Sequence, residues 1–330
     1  MATEPHRDPL TREHHRANLN PHVGTIMEPG PSRIDMTRFD NVVDGSAIDG
    51  RTGNFLFTVG GVASGKSTLQ NFLIHRLHVD ERVHFDRTSR DGKTASEAYL
   101  NAWVHNIAAG YLPERTQKGV LREFNVRFGQ RRRPSLDFSF IEIAGEDIRS
   151  IVPTAEQKQP KLNDHLERYL RQPGVNKRFL FISDASKNRL GRGTFEEDVL
   201  FDTLIRYLLN DTGIGLRNLS ILFIAAKWDV VKSEYKSDRQ YFRTNFPQTR
   251  STILSSPRVR AQYLPFSVGE VVLEKRESGE SVARLKSLEK RYVEFLISWI
   301  YSSFTQRQLK GYPKVKVGLW GRIKNFFAAW

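Results

Sequence analysis

The chain contains no cysteine. That excludes disulfide staples and thiolate-held metal centres. Long apolar runs are missing as well: the most apolar helical stretch, Tyr292 to Phe304, is too short and too polar to span a bilayer. The first residues lack the apolar core of a signal peptide, so a cytoplasmic location is expected. Negative charge is scarce. Asp and Glu number 37 against 51 Lys and Arg, and the net charge of +14 favours polyanions: nucleotides, nucleic acid or anionic lipid surfaces. No internal repeat or low-complexity block is visible, and 330 residues of ordinary apolar content are enough for one large domain or two small ones.

What is present centres on Phe55-Leu56-Phe57-Thr58-Val59-Gly60-Gly61-Val62-Ala63-Ser64-Gly65-Lys66-Ser67-Thr68. An apolar strand enters a glycine-bracketed turn and leaves it as an amphipathic helix carrying Leu69, Phe72, Leu73 and Leu77. This is the pattern GxxxxGK(S/T) in the context that a phosphate-binding loop requires. Gly60 and Gly65 allow successive amide N–H groups to face a triphosphate, Lys66 reaches its β- and γ-phosphates, and the Ser67 hydroxyl is placed to ligate Mg²⁺. The helix N-terminus adds partial positive charge. Nucleotide binding is therefore expected, with residues 60 to 68 as its cradle.

Around this loop the chain reads as α/β. Residues 1 to 50, rich in Pro, Gly, His, Arg and Asp, read as a disordered lead-in, and His6, His14, His15 and His22 lack the neighbours that a metal site needs. Residues 51 to 304 form the expected nucleotide domain, with a helical insertion at 78 to 119 centred on Ala95 to Ala109. Val120 to Phe128 and Leu136 to Ile143 read as strands. The short turn between them makes them antiparallel neighbours, because a parallel crossover needs about a dozen residues. Arg131, Arg132 and Arg133 at its tip lack stacking aromatics and read as a solvated turn more than a nucleic-acid contact. Helices at Leu162 to Arg171 and Thr194 to Leu209 alternate with buried strands at Arg178 to Ser183, Leu219 to Ala225 and Gln262 to Ser267. A long helix is expected over Ala283 to Phe304. The fold expected is a mostly parallel sheet of the P-loop NTPase kind, with one antiparallel hairpin strand and helices on both faces.

Two further strand ends carry chemistry. Phe138-Ser139-Phe140-Ile141-Glu142-Ile143-Ala144-Gly145-Glu146 puts a carboxylate and then a glycine where a P-loop protein holds its magnesium and contacts a γ-phosphate. Glu146 follows at the place where a hydrolase orients its attacking water; an acidic turn is the plainer reading of the same residues. Ala225-Ala226-Lys227-Trp228-Asp229 ends another strand at the edge where open α/β sheets bind ligands. A carboxylate such as Asp229 accepts from guanine N1–H and the 2-amino group, which adenine cannot match, while the Lys227 stem lies along the base. Ser267 and Val268 offer a backbone N–H to the guanine O6.

Together these residues resemble the TRAFAC-type GTPases: the P-loop, a DxxG-like Glu142-Ile143-Ala144-Gly145, an NKxD-like Ala226-Lys227-Trp228-Asp229 and a Ser-Ala-like Ser267-Val268. Within them the chain is most similar to the bacterial double-GTPase group, through Ile143-Ala144-Gly145-Glu146 and Leu112-Pro113-Glu114-Arg115-Thr116. The resemblance spans about 54 to 304. It implies a GTP/GDP switch with Mg²⁺, with Thr116 as the metal-ligating switch threonine, Thr88 as its runner-up and Arg115 as a charge-offsetting arginine in cis. It also implies a role in bacterial multi-gene conflict systems beside a partner, such as a second GTPase or an adaptor. Glu142 stands for the family's aspartate and Ala226 for its asparagine, which weakens the case for guanine. A P-loop kinase and a non-hydrolysing nucleotide scaffold are the alternatives, although no arginine-rich lid accompanies the loop.

Residues 305 to 330 read as a basic amphipathic tail. Leu319, Trp320, Ile323, Phe326, Phe327 and Trp330 would share one helical stripe, with Lys310, Lys314, Lys316, Arg322 and Lys324 around it. Such a stripe suits the protein's own core, a partner or an anionic membrane surface.

Overall fold

The computed structural model describes residues 33–35, 50–86, 94–112, 121–153, 161–187, 195–214, 216, 218–275 and 281–315. Seven strands form one sheet: β1 (Gly53–Val59), β2 (His84–Asp86), β3 (Leu121–Gly129), β4 (Leu136–Ile143), β5 (Val175–Asp184), β6 (Leu219–Ala226) and β7 (Val259–Phe266), in the order β2-β3-β4-β1-β5-β6-β7. β4, β1, β5, β6 and β7 are parallel, and β3 runs antiparallel to β4, as its short connection requires. β2, inside the expected helical insertion, extends the sheet by a second antiparallel strand, with Phe85 opposite Phe128. The fold is thus α/β, a mostly parallel sheet with an antiparallel hairpin at one side.

Helices cover both faces: α1 (Lys66–Val79), α2 (Thr94–Ala108), α3 (Gly145–Arg149), α4 (Asp164–Arg171), α5 (Phe195–Asn210), α6 (Trp228–Val231), α7 (Asp238–Asn245), α8 (Pro247–Ser255) and α9 (Lys290–Thr305). Successive strand residues point to opposite faces, which sorts the apolar residues into two cores. Leu56, Leu180, Ile182, Leu222 and Ile224 pack with residues of α1, α2 and α9, while Phe55, Phe57, Phe179, Phe181 and Phe223 pack with residues of α4, α5 and α7. Central strands buried on both sides read as continuous apolar runs for this reason.

The long helix expected from Ala283 is in part a strand. β8 (Gly269–Lys275) and β9 (Ser281–Leu288) form a separate two-stranded antiparallel ladder, and α9 begins only at Lys290, where the Glu289 side chain accepts from Arg291 N. Cross-strand pairing overrides the helical propensity of Ala283-Arg284-Leu285-Lys286. The hairpin docks on the end of α2, with Leu285 N donating to Gly110 O at 2.9 Å and Arg284 Nη2 to Tyr111 Oη at 3.0 Å.

Core packing continues past Thr305: Leu309, Tyr312 and Val315 are buried with α1 and α9. The apolar stripe from Leu319 to Trp330 lies outside the described residues, as do the four lead-in histidines. The three tip arginines are exposed, and Arg133 donates to Gln308 O. Among the described residues, no helix is long and apolar enough to cross a membrane, and no group of three His, Asp or Glu is placed to hold a metal ion.

Candidate nucleotide site

Parallel strands in register deliver their C-terminal loops to one edge. Thr58 lies opposite Glu142, Val59 opposite Phe181, Asp184 opposite Ala226, and Ala226 opposite Phe266. The sheet therefore brings the turn after β1, the Gly145 turn, the end of β5, the Lys227 turn and Ser267-Val268 to the same side. A crevice at the carboxyl ends, where strand order reverses on either side of β1, is the place where such sheets take ligands.

Within the first turn, Gly60 abuts β5, Ser64 N donates to Gly61 O at 3.3 Å, and Gly65 takes φ +94° as the residue before α1. That left-handed angle favours glycine, and a β-carbon there would stand 3.6 Å from the Ala226 methyl. Ala63 also has positive φ, +59°. The Lys66 side chain is buried and folds back into the loop, its Nζ donating to Gly60 O and Gly61 O, each at 3.0 Å. Thr68 follows in the first turn of α1.

Beside it, Ser67 Oγ donates to Glu142 Oε1 at 2.5 Å. Glu142 is fully buried on β4, with Arg122 Nη1 3.9 Å from its Oε2. The long glutamate side chain thus reaches the serine of the loop. Three residues on, Gly145 presses against the loop: a β-carbon there would lie 2.6 Å from Gly61 C and Val62 N, so any larger residue would push the two turns apart. Glu146 stands half-buried in the first turn of α3.

At the other end of the crevice, Lys227 takes the left-handed conformation (φ +57°, ψ +37°) ahead of α6, and its Nζ meets Asp184 Oδ2 at 2.6 Å. Asp229 is exposed in the first turn of α6, whose Trp228 is buried against Tyr235 and Tyr241. Ser267 is buried, its Oγ accepting from Gly269 N at 3.3 Å, and Val268 O accepts from Glu289 N at 3.1 Å. The sheet therefore gathers the loop from Gly60 to Thr68, Glu142, Gly145, Glu146, Lys227, Asp229, Ser267 and Val268. Arg115, Thr116 and Thr88 lie outside the described residues.

Three residues here were not singled out from sequence. Asp184 ends β5 fully buried, Lys187 Nζ donates to Val62 O at 2.9 Å, and Glu197 accepts from Ser183 Oγ at 2.7 Å while lying over Gly61. The one local signal was a carboxylate closing an apolar strand, the same signal that marked Glu142.

No protein-family model matches the chain, and no curated protein does either. Among solved structures, it is similar to the signal recognition particle receptor SRb-GTP/SRX complex from Chaetomium thermophilum (13% identity, TM-score 0.38, covering 66% of this chain and 91% of that one). It is also similar to the S. cerevisiae Ski7 GTPase-like domain bound to GDP and inorganic phosphate (13% identity, TM-score 0.34, 84% of this chain and 54% of that one). A third is Sup35 complexed with GDP (13% identity, TM-score 0.29, 69% and 40%). The chain spans about half or less of the latter two. Likenesses this loose decide neither family nor activity.

Proposed function

We propose that this protein binds GTP with Mg²⁺ and hydrolyses it, acting as a molecular switch. The observation that supports this most is the contact of Ser67 Oγ with the fully buried Glu142 carboxylate, next to a lysine folded into the same loop. A hydroxyl and a carboxylate are the hard oxygen donors that suit magnesium, so Ser67 and Glu142 fit as its holders, joined by Thr116 on the family resemblance. When bound, the ion neutralises charge between the β- and γ-phosphates. Lys66 would exchange the Gly60 and Gly61 carbonyls for the phosphates, with the loop amides of residues 60 to 68 and Gly145 N–H around them. Glu146 would orient the attacking water. Its oxygen bonds to the γ-phosphorus as the bond to the β–γ bridging oxygen breaks, giving GDP and inorganic phosphate. Arg115 would offset charge in that step.

Lys227, Asp229, Ser267 and Val268 would take the guanine, and order in the Thr116 segment would report the γ-phosphate. Membership of the bacterial double-GTPase group, a cytoplasmic role in a conflict or defence system, a second GTPase or adaptor as partner, and an anionic membrane contact through 311–330 belong to the same reading. Nucleic acid is the least favoured partner in it.

Asp229→Asn tests the base assignment. Xanthine carries a carbonyl where guanine carries its amino group, so the amide should turn preference from GTP toward xanthosine triphosphate by about 10- to 100-fold. An unchanged ratio in competitive binding would remove Asp229 from the base site.

A further inference from the structure

Resting on that nucleotide reading, we infer that Asp184 is a positioning residue that ties the base-side loop to the phosphate loop and takes over a brace that Ala226 cannot supply. Asp184 closes β5 directly opposite Ala226, and it is fully buried. Its Oδ2 lies 2.6 Å from Lys227 Nζ and 3.9 Å from Lys187 Nζ. Its Oδ1 accepts from Ser186 N at 3.0 Å and Ser186 Oγ at 2.6 Å. Burying a carboxylate is costly unless it is paired and hydrogen-bonded, and this one is both.

The pairing is not a core feature closed on itself, because both lysines are about half exposed and each bridges to a different turn at the sheet's carboxyl edge. Lys187 reaches across to Val62 O at 2.9 Å, in the middle of the phosphate loop. Lys227 begins the turn that carries Asp229, and it does so in a left-handed conformation that a side chain normally disfavours. The bond to Asp184 holds it there. At the next position back, the Ala226 methyl lies beside Gly65 and offers no polar atom for the same task. Asp184 therefore fixes the turn from which Asp229 reads the base, while its second lysine anchors the phosphate side. A single buried carboxylate sets the distance between the two halves of the site.

The consequence is specific to the base. Asp229 recognises the 2-amino group, which GDP has and inosine diphosphate lacks, so the ratio of their affinities reads how well the Lys227 turn is placed. Asp184→Asn keeps the shape and the bond to Ser186 but puts an amide against the Lys227 ammonium. Competition of GDP and inosine diphosphate against a fluorescent guanine nucleotide should show the GDP preference falling about tenfold. In a Lys227→Met background the same change should add little, because the link is already broken. If Asp184→Asn does not fold, as judged by thermal melting, Asp184→Ser reads the same ratio. An unchanged ratio in a folded Asp184 variant, or an equal loss for both nucleotides, overturns the positioning role while leaving the nucleotide site standing. A wild type that shows no GDP preference over inosine diphosphate overturns the guanine reading itself, and this inference with it.

Discussion

At the residue scale, the clearest chemistry lies where one buried acid meets one hydroxyl. Glu142 and Ser67 are 75 positions apart, yet their contact is fixed by two local facts: Ser67 is the second residue of α1, just after the loop turn, and Glu142 faces Thr58 across the β1–β4 ladder. The loop itself was legible in sequence because its pattern, GxxxxGK(S/T) between a strand and a helix, is contiguous. Glu142 was legible because it breaks an apolar strand. Asp184 breaks a strand in the same way, but its meaning depends on Ala226 opposite it and on Lys227, which follows another strand, and no local pattern announces either. Glu142→Gln removes the charge but keeps the size. Titration of GTP with and without Mg²⁺ should show the metal-dependent gain in affinity falling about 10- to 100-fold, with GDP much less affected. Full Mg²⁺ dependence in that variant would place the metal elsewhere.

At the element scale, α1 carries the loop of residues 60 to 68 at its start and is clamped at its end. Arg76 meets Asp80 at 2.9 Å and Glu294 of α9 at 2.7 Å, Arg82 meets the same two acids, and Tyr312 Oη donates to Asp80 Oδ2 at 2.6 Å. Arg82 also stacks over the Tyr312 ring at 4.3 Å. Burial by itself would raise the Asp80 carboxyl, but hydrogen bonds from Arg82 and Tyr312 and the charge of Arg76 outweigh it and hold the group well below the usual carboxylate range. A depressed folded value means that the stabilisation is complete above the unfolded value near 3.8 and is lost as pH falls below it. Asp80→Ala should therefore cost on the order of 3 kcal/mol at pH 7, with the gap to wild type shrinking steadily below about pH 4. Urea unfolding at several pH values measures both; a gap independent of pH would mean that the cluster contributes packing only. Parallel strands and the α2 helix were readable from apolar runs and periodicity. β9 was not, because Ala283 to Lys286 suits a helix and becomes a strand only through its partner β8.

At the scale of the whole molecule, one sheet edge holds every described candidate group, and the excess of positive charge over the chain, +14, suits an anionic ligand. The proposed switch requires that ligand to be a guanine nucleotide, and competition decides it most directly. Full-length protein carrying a fluorescent guanine nucleotide in Mg²⁺ should release it to GTP at concentrations about 100-fold below those needed for ATP, and Lys66→Ala should bind neither. Displacement by ATP at least as effective as by GTP, or undiminished binding in Lys66→Ala, would contradict the account.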